Sequence, residues 1–397
     1  MFTRSKDGKT SAGMVSITPA TAKIRSNLER IKLQVDKIRD IWNHYIYELK
    51  YFQKKIRFTP EVQTNYFGDV LNYFEDTFDA LKKRKTNRYQ NHIFNTIGLL
   101  QVIYIHQDLM DEILHIFRLP HSAATDKNPN RELRNELVGH PIRRKKEGNE
   151  MISSVFFSGT LSPDAIQYTL YSKQDNFKGS VRLYPVSEVI ESHLTYLEKY
   201  FAIVIGRLDK LLIEYKKQLT TLEKMIDREI GFEKIVNFVD HSFEKITAHD
   251  YLFKKTNLLC CYNRRTEHSR YNLVVENYRT TLKVYIKETL QDIEDLLKCD
   301  CIPRRKKRIN SLNIQIRFGE KETSALSEEH KERNYLTYEI SKLFERKHPI
   351  FSINYFREKF KENQAVLIEL NNMESNQDNQ LEYYSSYHYL KFLLNVD

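Results

Sequence analysis

This sequence has few of the residues that interrupt regular structure, and it has no long apolar run. Its 397 residues include only 11 glycines, 9 prolines and one tryptophan. Sandwiches, barrels and doubly wound sheets need many turns, so this scarcity argues against those classes. No run of about 18 apolar residues exists to cross a bilayer, and the N-terminus lacks an apolar signal core. These absences predict a cytoplasmic protein with no membrane partner, built mainly from helices.

The four cysteines do not fit a disulfide framework. Cys260 and Cys261 form a CC pair, and Cys299 and Cys301 form a CxC pair. Neither spacing is the CxxC of a zinc knuckle, which favours reduced structural thiols over a metal site. We expect no metal and no cofactor, although the sequence leaves open whether these thiols bind a metal.

Charge and helical periodicity are what the sequence does contain. Charged residues make up 29% of the chain, with a net charge of +10 and a pI near 9.1. A basic balance favours a polyanionic partner such as RNA, although it also serves solubility. Hydrophobic residues make up 41%, which is enough to form the cores of two or three domains.

Apolar residues recur at three- and four-residue intervals through most of the chain, which predicts amphipathic helices. Residues 1–18 lack this period and are expected to form a flexible tail. Two β-rich runs within about 151–172, separated by Gly159 and Pro163, predict a hairpin. The predicted helices cover about 19–55, from Pro60 through Leu81, and about 88–117, 130–139, 187–228 and 271–298.

These elements predict a mainly α protein in two parts. Residues 19–230 are expected to form a helical bundle that carries the hairpin, with the 88–117 helix as its buried centre. Residues 231–397 are expected to form a second helical region, whose role the sequence does not indicate. A basic run at 303–308 is either a phosphate contact or a solvated loop.

The segment 131–150, RELRNELVGHPIRRKKEGNE, has residue types that point to chemistry. On an ideal helix Leu133 and Leu137 define the buried stripe, with Arg134 about 60° to one side of Leu137 and His140 about 60° to the other. The proline that follows ends the helix and frees the imidazole to turn towards the arginine. Histidine moves protons at neutral pH and a guanidinium holds a phosphate, so the pair suits phosphodiester cleavage without metal.

A purely structural explanation of the same residues stands beside this one. An arginine and a histidine near a helix end are more often a surface ion-pair donor and a C-terminal cap. Basic runs such as 143–146 are usually solvated loops. Two further segments, RRTEH at 264–268 and ERKHPI at 345–350, contain the same residue types at shorter spacing, so we expect no second copy of the motif.

The segment LRNELVGHP at 133–141 resembles the Arg-x4–6-His signature of the HEPN superfamily. Arg134 is followed directly by Asn135, and five residues separate it from His140. The order of a long helix, a loop, the motif helix and a small β segment also agrees with that group.

The upstream segment 94–114 is similar to the preceding helix of a group of uncharacterised bacterial HEPN-like proteins. Gln101 and the HQD at 106–108 stand in the matching places. The resemblance covers about 86–172, the flanking helices only by pattern, and nothing after about 230.

This resemblance implies a HEPN-like helical bundle that forms a homodimer in which two motifs face each other. It implies an endoribonuclease that needs no metal and leaves a cyclic phosphate. His140 would transfer protons, Arg134 would stabilise the phosphorane charge, and Asn135 would position the phosphate or the histidine. By analogy, Asp108 would be an auxiliary residue that orients His140. The expected RNA-binding rim consists of Arg131, Arg143, Arg144, Lys145 and Lys146.

The resulting expectation is a metal-independent HEPN-type endoribonuclease, acting as a toxin or a defence effector with a neutralising partner. The alternative is a non-catalytic helical adaptor that uses the HEPN frame for dimerisation or nucleotide binding. A helical scaffold without a site is the third explanation. The sequence does not indicate the RNA target, the trigger or the role of the C-terminal helices.

Overall fold

The structure is a computed structural model with two compact units. Unit 1 comprises Met1–Arg39 and Ile56–Leu208, and unit 2 comprises Asp40–Lys55 and Asp209–Asp397. The boundary expected at about residue 230 therefore lies inside unit 2, and the tail expected at 1–18 lies outside the described residues. The described residues are 19–64, 66–82, 89–120, 129–144, 150–156, 164–173, 176–228, 230–243, 251–298, 328–346 and 349–396.

Helices dominate the described residues, which confirms the expectation of a mainly α protein. The helices are α1 (Pro19–Ile41), α2 (Lys50–Gln53), α3 (Tyr66–Thr77), α4 (Tyr89–Ile116), α5 (Pro129–Arg134), α6 (Val186–Asp227), α7 (Phe232–Phe243), α8 (Lys255–Asn263), α9 (Ser269–Lys298), α10 (Glu328–Glu345), α11 (Pro349–Lys359), α12 (Gln364–Ser375) and α13 (Gln380–Leu394). The predictions of helices over about 88–117, 187–228 and 271–298 are confirmed by α4, α6 and α9. Among the described residues, no helix combines the length and the apolar character needed to span a bilayer.

Two predicted helix boundaries are wrong. The helix expected over 19–55 ends at Ile41, because the chain widens into a π-helical turn, Trp42–Ile46, and Leu49 then adopts an extended conformation. The helix expected from Pro60 begins only at Tyr66. The Thr64 hydroxyl accepts a hydrogen bond from the Tyr66 N–H (3.2 Å), which satisfies one free donor of the first turn.

The core of unit 1 consists of apolar side chains from α1, α3, α4 and α6. Phe74 on α3 packs edge-on against Phe201 on α6, with ring centroids 5.2 Å apart, and neither ring is exposed. Ile103, Met110 and Leu114 bury the inner face of α4 completely. Burial on this scale is the main source of stability for such a bundle.

A four-stranded antiparallel sheet follows α5 in unit 1. Its strands are β1 (Ile142–Arg144), β2 (Met151–Phe156), β3 (Ala165–Tyr171) and β4 (Ser180–Pro185), in spatial order β1-β2-β3-β4. The predicted hairpin is confirmed by β2 and β3, which pair in the register Val155 opposite Thr169. The two edge strands were not predicted, because β1 is three residues long inside a basic run and β4 follows a polar turn.

The two faces of this sheet differ in burial. One face is packed, with Ile166, Tyr168 and Leu170 of β3 buried. The other face exposes large apolar side chains on all four strands, and the strand register places them together. We call this the open sheet face, and it consists of Ile142 (72% exposed), Met151 (38%), Val155 (51%), Tyr171 (38%), Val181 (55%) and Leu183 (60%).

The C-terminal helices of unit 2 have an apolar core of their own. Side chains from α10 to α13 form one buried cluster that includes Leu343, Phe356, Leu370 and Tyr383. The Tyr383 hydroxyl donates to the Leu343 carbonyl at 2.8 Å, which satisfies its buried polar atom. The basic run at 303–308 lies outside the described residues.

Candidate active site

The predicted motif helix is present, but it changes type at the candidate site residues. α5 ends at Arg134, and a π-helical turn, Asn135–Gly139, continues it to His140, whose N–H donates to the Asn135 carbonyl at 2.8 Å. The ideal 100° spacing assumed for the sequence therefore does not apply after residue 134. Single π-helical turns inside helices are often found at functional sites.

Among the described residues, Arg134 is held by neutral groups only. Its Nε and Nη2 donate to the Gln101 side-chain oxygen at 3.3 and 3.1 Å, and its Nη1 donates to the Asn135 side-chain oxygen at 3.0 Å. The guanidinium also lies over the Tyr104 ring, 4.1 Å from its centroid. These contacts fix the orientation of a half-buried cation without neutralising its charge.

Some N–H donors of the Arg134 guanidinium are not used by these contacts. A guanidinium carries five N–H donors, and the contacts to Gln101 and Asn135 use three of them. Within the described residues, no carboxylate pairs with Arg134. One N–H on each terminal nitrogen therefore stays available, which is the number needed to hold two oxygens of a phosphate.

Gly139 leaves room for the Arg134 guanidinium, which passes directly over its backbone. A Cβ at this position would lie 2.6 Å from Arg134 Nη1 and 3.3 Å from Arg134 Cζ. The Asn135 side-chain oxygen would be 3.5 Å away. The glycine of the motif thus makes room for the guanidinium, a role that the sequence analysis missed.

His140 is exposed at the end of the π-helical turn, where the backbone leaves helical geometry (φ −141°, ψ 62°). Its ring makes no hydrogen bond or ring contact with another described residue. In particular, no contact joins it to Arg134, so the expectation that the ring turns back onto the guanidinium is not met within one chain. An exposed imidazole with no competing partner remains available for proton transfer.

No family model, curated protein or solved structure matches this chain.

Asp108 lies on the same face of α4 as the arginine contacts, but it does not reach His140. It pairs with Arg131, whose Nη2 lies 3.2 Å from the Asp108 carboxylate and 3.3 Å from the Tyr104 hydroxyl. Arg131 also stacks on Tyr104 at 4.6 Å. Tyr104 therefore contacts two guanidinium groups, a role that was not predicted from the sequence. The three- and four-residue spacing of Gln101, Tyr104 and Asp108 is the signal that could have found this face.

The basic residues after His140 have different surroundings from one another. Arg143 is half-buried and pairs with Glu136 at 3.3 Å, and the same carboxylate accepts a hydrogen bond from the Tyr168 hydroxyl at 2.5 Å. Arg144 is exposed on the open sheet face. Both lie on β1, so the loop expected for this run is wrong at these two positions. Lys145 and Lys146 lie outside the described residues.

A buried histidine pair lies in the core of unit 1. His106 Nδ1 and His193 Nε2 are 3.0 Å apart, and His106 Nε2 lies 2.7 Å from the Thr77 hydroxyl. That hydroxyl donates to the Tyr73 carbonyl at 2.6 Å, so it must accept from the His106 ring. Burial lowers the pKa of His106 to about 3 and holds that of His193 below its ordinary value, so both rings are neutral. The HQD histidine of the resemblance is therefore a core residue.

The two described cysteines are free thiols. Cys260 is half-buried and Cys261 is buried, and burial raises the pKa of the Cys261 thiol to about 12. A thiol in that environment is a poor nucleophile at neutral pH. Within the described residues, no three histidine, cysteine or acidic side chains lie together as a metal site, and Cys299 and Cys301 fall outside them.

The RRTEH segment of unit 2, together with Arg270 two residues beyond it, belongs to an ionic cluster whose carboxylates are buried. Arg270 lies 3.3 Å from the Glu369 carboxylate and donates to the Ser386 hydroxyl at 2.8 Å. Arg264 pairs with Glu382, which also accepts a hydrogen bond from the Tyr271 hydroxyl at 2.7 Å. The cations here are matched by carboxylates from α12 and α13, which indicates a structural role.

Proposed function

We propose that this protein is a metal-independent endoribonuclease of HEPN type, with Arg134 and His140 as its chemical centre. The observation that supports this most is the uncompensated guanidinium of Arg134, oriented by neutral groups and followed by an exposed imidazole. A cation kept without a carboxylate partner is suited to bind an anion, and its two remaining donors suit a phosphodiester.

The proposed reaction uses the ribose 2′-hydroxyl as the nucleophile. The 2′ oxygen attacks the adjacent phosphorus while its proton passes to a histidine, and negative charge develops on the phosphoryl oxygens. Arg134 stabilises that charge through its two remaining N–H groups. The bond from phosphorus to the 5′ oxygen then breaks, the leaving oxygen takes a proton, and the product strand ends in a 2′,3′-cyclic phosphate.

A second histidine would serve the second proton transfer. The imidazole that accepts the first proton is not in the right state to donate to the leaving oxygen at the same moment. In an isologous homodimer, His140 of the partner subunit would supply this group. The absence of an Arg134–His140 contact within the described residues of one chain agrees with a site that is completed by a second copy.

A matched pair of arginine substitutions tests the nuclease. Lysine keeps the positive charge but not the planar fork, so we expect Arg134→Lys to lower the rate of RNA cleavage about a hundredfold or more. Arg131→Lys changes an arginine that stacks on the same tyrosine but is already paired with Asp108, and we expect a change of less than about threefold. Equal rates for the two variants would contradict the role of Arg134.

The open sheet face favours a second candidate function, a non-catalytic adaptor that dimerises. Its six apolar side chains expose on the order of 500 Å² together, which is the size of a functional patch on a monomer. Arg144 is the single charged residue that the described register places on this face. Ile142 is two residues from His140, so a second copy seated here would lie beside the motif.

Substitution on the sheet separates the two candidates. Val181→Lys with Leu183→Lys places two like charges on the open sheet face without changing a buried side chain, and we expect it to convert a dimer to a monomer in sedimentation equilibrium. A nuclease that is completed by a second copy would lose RNA cleavage with the dimer. If the protein is an adaptor, the double variant loses the dimer, and neither the variant nor the wild type cleaves RNA.

A further inference from the structure

The carboxylate of Glu136 connects the π-helical turn to two strands of the sheet. Glu136 is the second residue of that turn and lies four residues before His140. One of its oxygens accepts a hydrogen bond from the Tyr168 hydroxyl of β3 at 2.5 Å, and the other lies 3.3 Å from Arg143 Nη2 of β1. This one side chain therefore joins three elements of unit 1.

These contacts close a loop around His140. Glu136 and Arg143 are seven residues apart in the chain, and the histidine lies between them. Within the loop, the Pro141 carbonyl accepts a hydrogen bond from the Ser154 N–H of β2 at 2.7 Å. Because the imidazole makes no contact with another described residue, the contacts on either side of it limit the movement of its backbone.

The Tyr168 hydroxyl is a constant donor in this connection. The side chain is completely buried, and its ring stacks on Tyr184 of β4 with the ring centroids 6.2 Å apart. Burial, followed by the hydrogen bond to Glu136, raises the pKa of the Tyr168 hydroxyl well above its ordinary value. The hydroxyl therefore stays protonated at neutral pH and donates to the carboxylate, which is the stronger kind of hydrogen bond.

The position of Arg143 fits this loop better than the RNA-binding rim expected from the sequence. Its guanidinium already pairs with a carboxylate, and a phosphate would have to displace that carboxylate in order to bind there. The side chains of Arg143 and Glu136 are 34% and 26% exposed, so water weakens their ion pair. Of the two contacts to the carboxylate, the one from the buried tyrosine is the stronger.

We propose that Glu136 is a positioning residue that fixes His140 for proton transfer by tying the π-helical turn to Tyr168. The inference rests on the proposed function for the reaction, but the tie itself exists with or without RNA. A loose loop would keep the imidazole as a base and would move it relative to the phosphodiester. Small displacements of a reacting group cost large factors in rate.

Cleavage kinetics at saturating and at limiting RNA test the role of Glu136. Glu136→Ala removes both contacts, and we expect the rate at saturating RNA to fall about tenfold or more. The RNA concentration that gives half the maximal rate should stay the same or fall, because the Arg143 guanidinium is freed to attract phosphate. Glu136→Gln keeps an acceptor for the tyrosine and should slow cleavage less than about threefold. An unchanged saturated rate with tighter RNA binding in Glu136→Ala would overturn the proposal, since the carboxylate would then only neutralise the arginine.

Two tyrosines on one strand provide a matched control. Tyr168→Phe removes only the donor to Glu136, whereas Tyr171→Phe removes a β3 hydroxyl that makes no hydrogen bond with another described residue. We expect the first variant to slow cleavage about three- to tenfold and the second to leave it unchanged. In the Glu136→Ala background, Tyr168→Phe should have no further effect, because the two side chains act through one contact. Equal losses in both backgrounds would overturn the proposal, since the tyrosine would then act without the carboxylate.

Backbone relaxation of the full-length protein measures the tie without RNA. We expect the order parameter of the His140 amide to be about 0.85 in the wild type and in Tyr171→Phe, and below about 0.6 in Glu136→Ala. Equal order in the wild type and Glu136→Ala would overturn the proposal. Loss of order in this variant, with no RNA cleavage by the wild type, would support the tie and contradict the nuclease. Cleavage by the wild type that Glu136→Ala leaves unchanged would do the reverse.

Discussion

Two segments of this chain place arginine and histidine within a few residues of each other. They differ in the charge of the groups that surround the arginine side chains. In the motif segment, 134–140, the arginine contacts only neutral groups among the residues that the structure describes, and the histidine is exposed. In the cluster segment, 264–271, Arg264 pairs with Glu382 and Arg270 pairs with Glu369, and both carboxylates are buried. Similar residue types are therefore paired for stability in unit 2, whereas in unit 1 the arginine is left without a carboxylate partner among the described residues, as our proposal of anion binding requires.

The difference comes from residues far away in the sequence. The carboxylates that neutralise the cluster segment are supplied by α12 and α13, and Glu382 follows its partner Arg264 by 118 residues. Apart from the adjacent Asn135, the partners of Arg134 come from α4, which offers an amide and an aromatic ring instead. Whether a basic pair is free to bind an anion is thus decided by tertiary contacts.

The largest expected effect is on stability in the cluster segment. Arg270→Met leaves the Glu369 carboxylate buried without a cation, and we expect a loss of about 3–5 kcal/mol in the free energy of unfolding. Arg134→Met removes a half-buried cation that pairs with no carboxylate, and we expect a loss of about 1 kcal/mol or less. Urea denaturation of both variants measures the difference. Similar losses would mean that the two arginines have the same structural role.

A second prediction concerns the effect of pH on stability. Acid should destabilise the structure around the histidine pair of unit 1, but not the structure around the buried Glu369 of unit 2. The pKa of His106 and of His193 is lowered by burial, so the unfolded chain binds more protons below pH 6.5. The stability that depends on these neutral rings is present well above pH 6.5 and is lost as the pH falls below it, by about 2 kcal/mol at pH 5 for His106 and in the same direction for His193. Burial instead raises the pKa of Glu369, whose contribution is lost as the pH rises above its unfolded value.

Hydrogen exchange of individual amides measures this contrast. Between pH 7 and pH 5, after correction for intrinsic exchange rates, protection of the α4 amides should fall, and protection of the α12 amides should hold or rise. His106→Phe removes one of the two groups and should reduce the fall in α4. A fall of equal size in both helices would show that the histidine pair does not set the response of unit 1 to acid.

A third prediction tests the position of the guanidinium. Gly139→Ala places a methyl group 2.6 Å from Arg134 Nη1, and the flexible arginine end moves more easily than the backbone. We expect RNA cleavage to fall about ten- to a hundredfold with little change in stability, because the Arg134 guanidinium would be displaced from the position in which we propose it binds the phosphate. Gly206→Ala in α6 is the control, since nothing lies within 4 Å of its Cβ position. Full activity in Gly139→Ala would show that the position of Arg134 is not critical.

The smallest expected effect is at Asp108. Its carboxylate pairs with Arg131 at the surface, with side-chain exposures of 51% and 35%, and such pairs contribute about 1 kcal/mol or less. Asp108→Asn should therefore change both stability and the cleavage rate little, in denaturation and in single-turnover assays. A loss of cleavage as large as that of Arg134→Lys would instead support the role that the resemblance implied, in which Asp108 orients His140.

Periodicity predicted the long helices, because α4, α6 and α9 each bury a continuous apolar stripe. It did not predict the π-helical turn at 135–139, since no apolar pattern distinguishes a widened turn from an α-helical one. It also missed β1, because a three-residue edge strand takes its pairing from β2 and not from its own sequence. The motif predicted Arg134 and His140 as candidate site residues. The contacts of the Arg134 guanidinium with Gln101 and Tyr104 could not be predicted, because they depend on tertiary packing.

The most direct test of the central claim is the cleavage of a cellular RNA pool in the presence of EDTA, at matched purity and physiological salt. The wild type is compared with His140→Ala and with His268→Ala, which removes the histidine of the cluster segment. We expect cleavage with cyclic phosphate ends by the wild type and by His268→Ala, and no cleavage by His140→Ala. Cleavage that survives in His140→Ala would contradict the assignment of the motif segment as the active site.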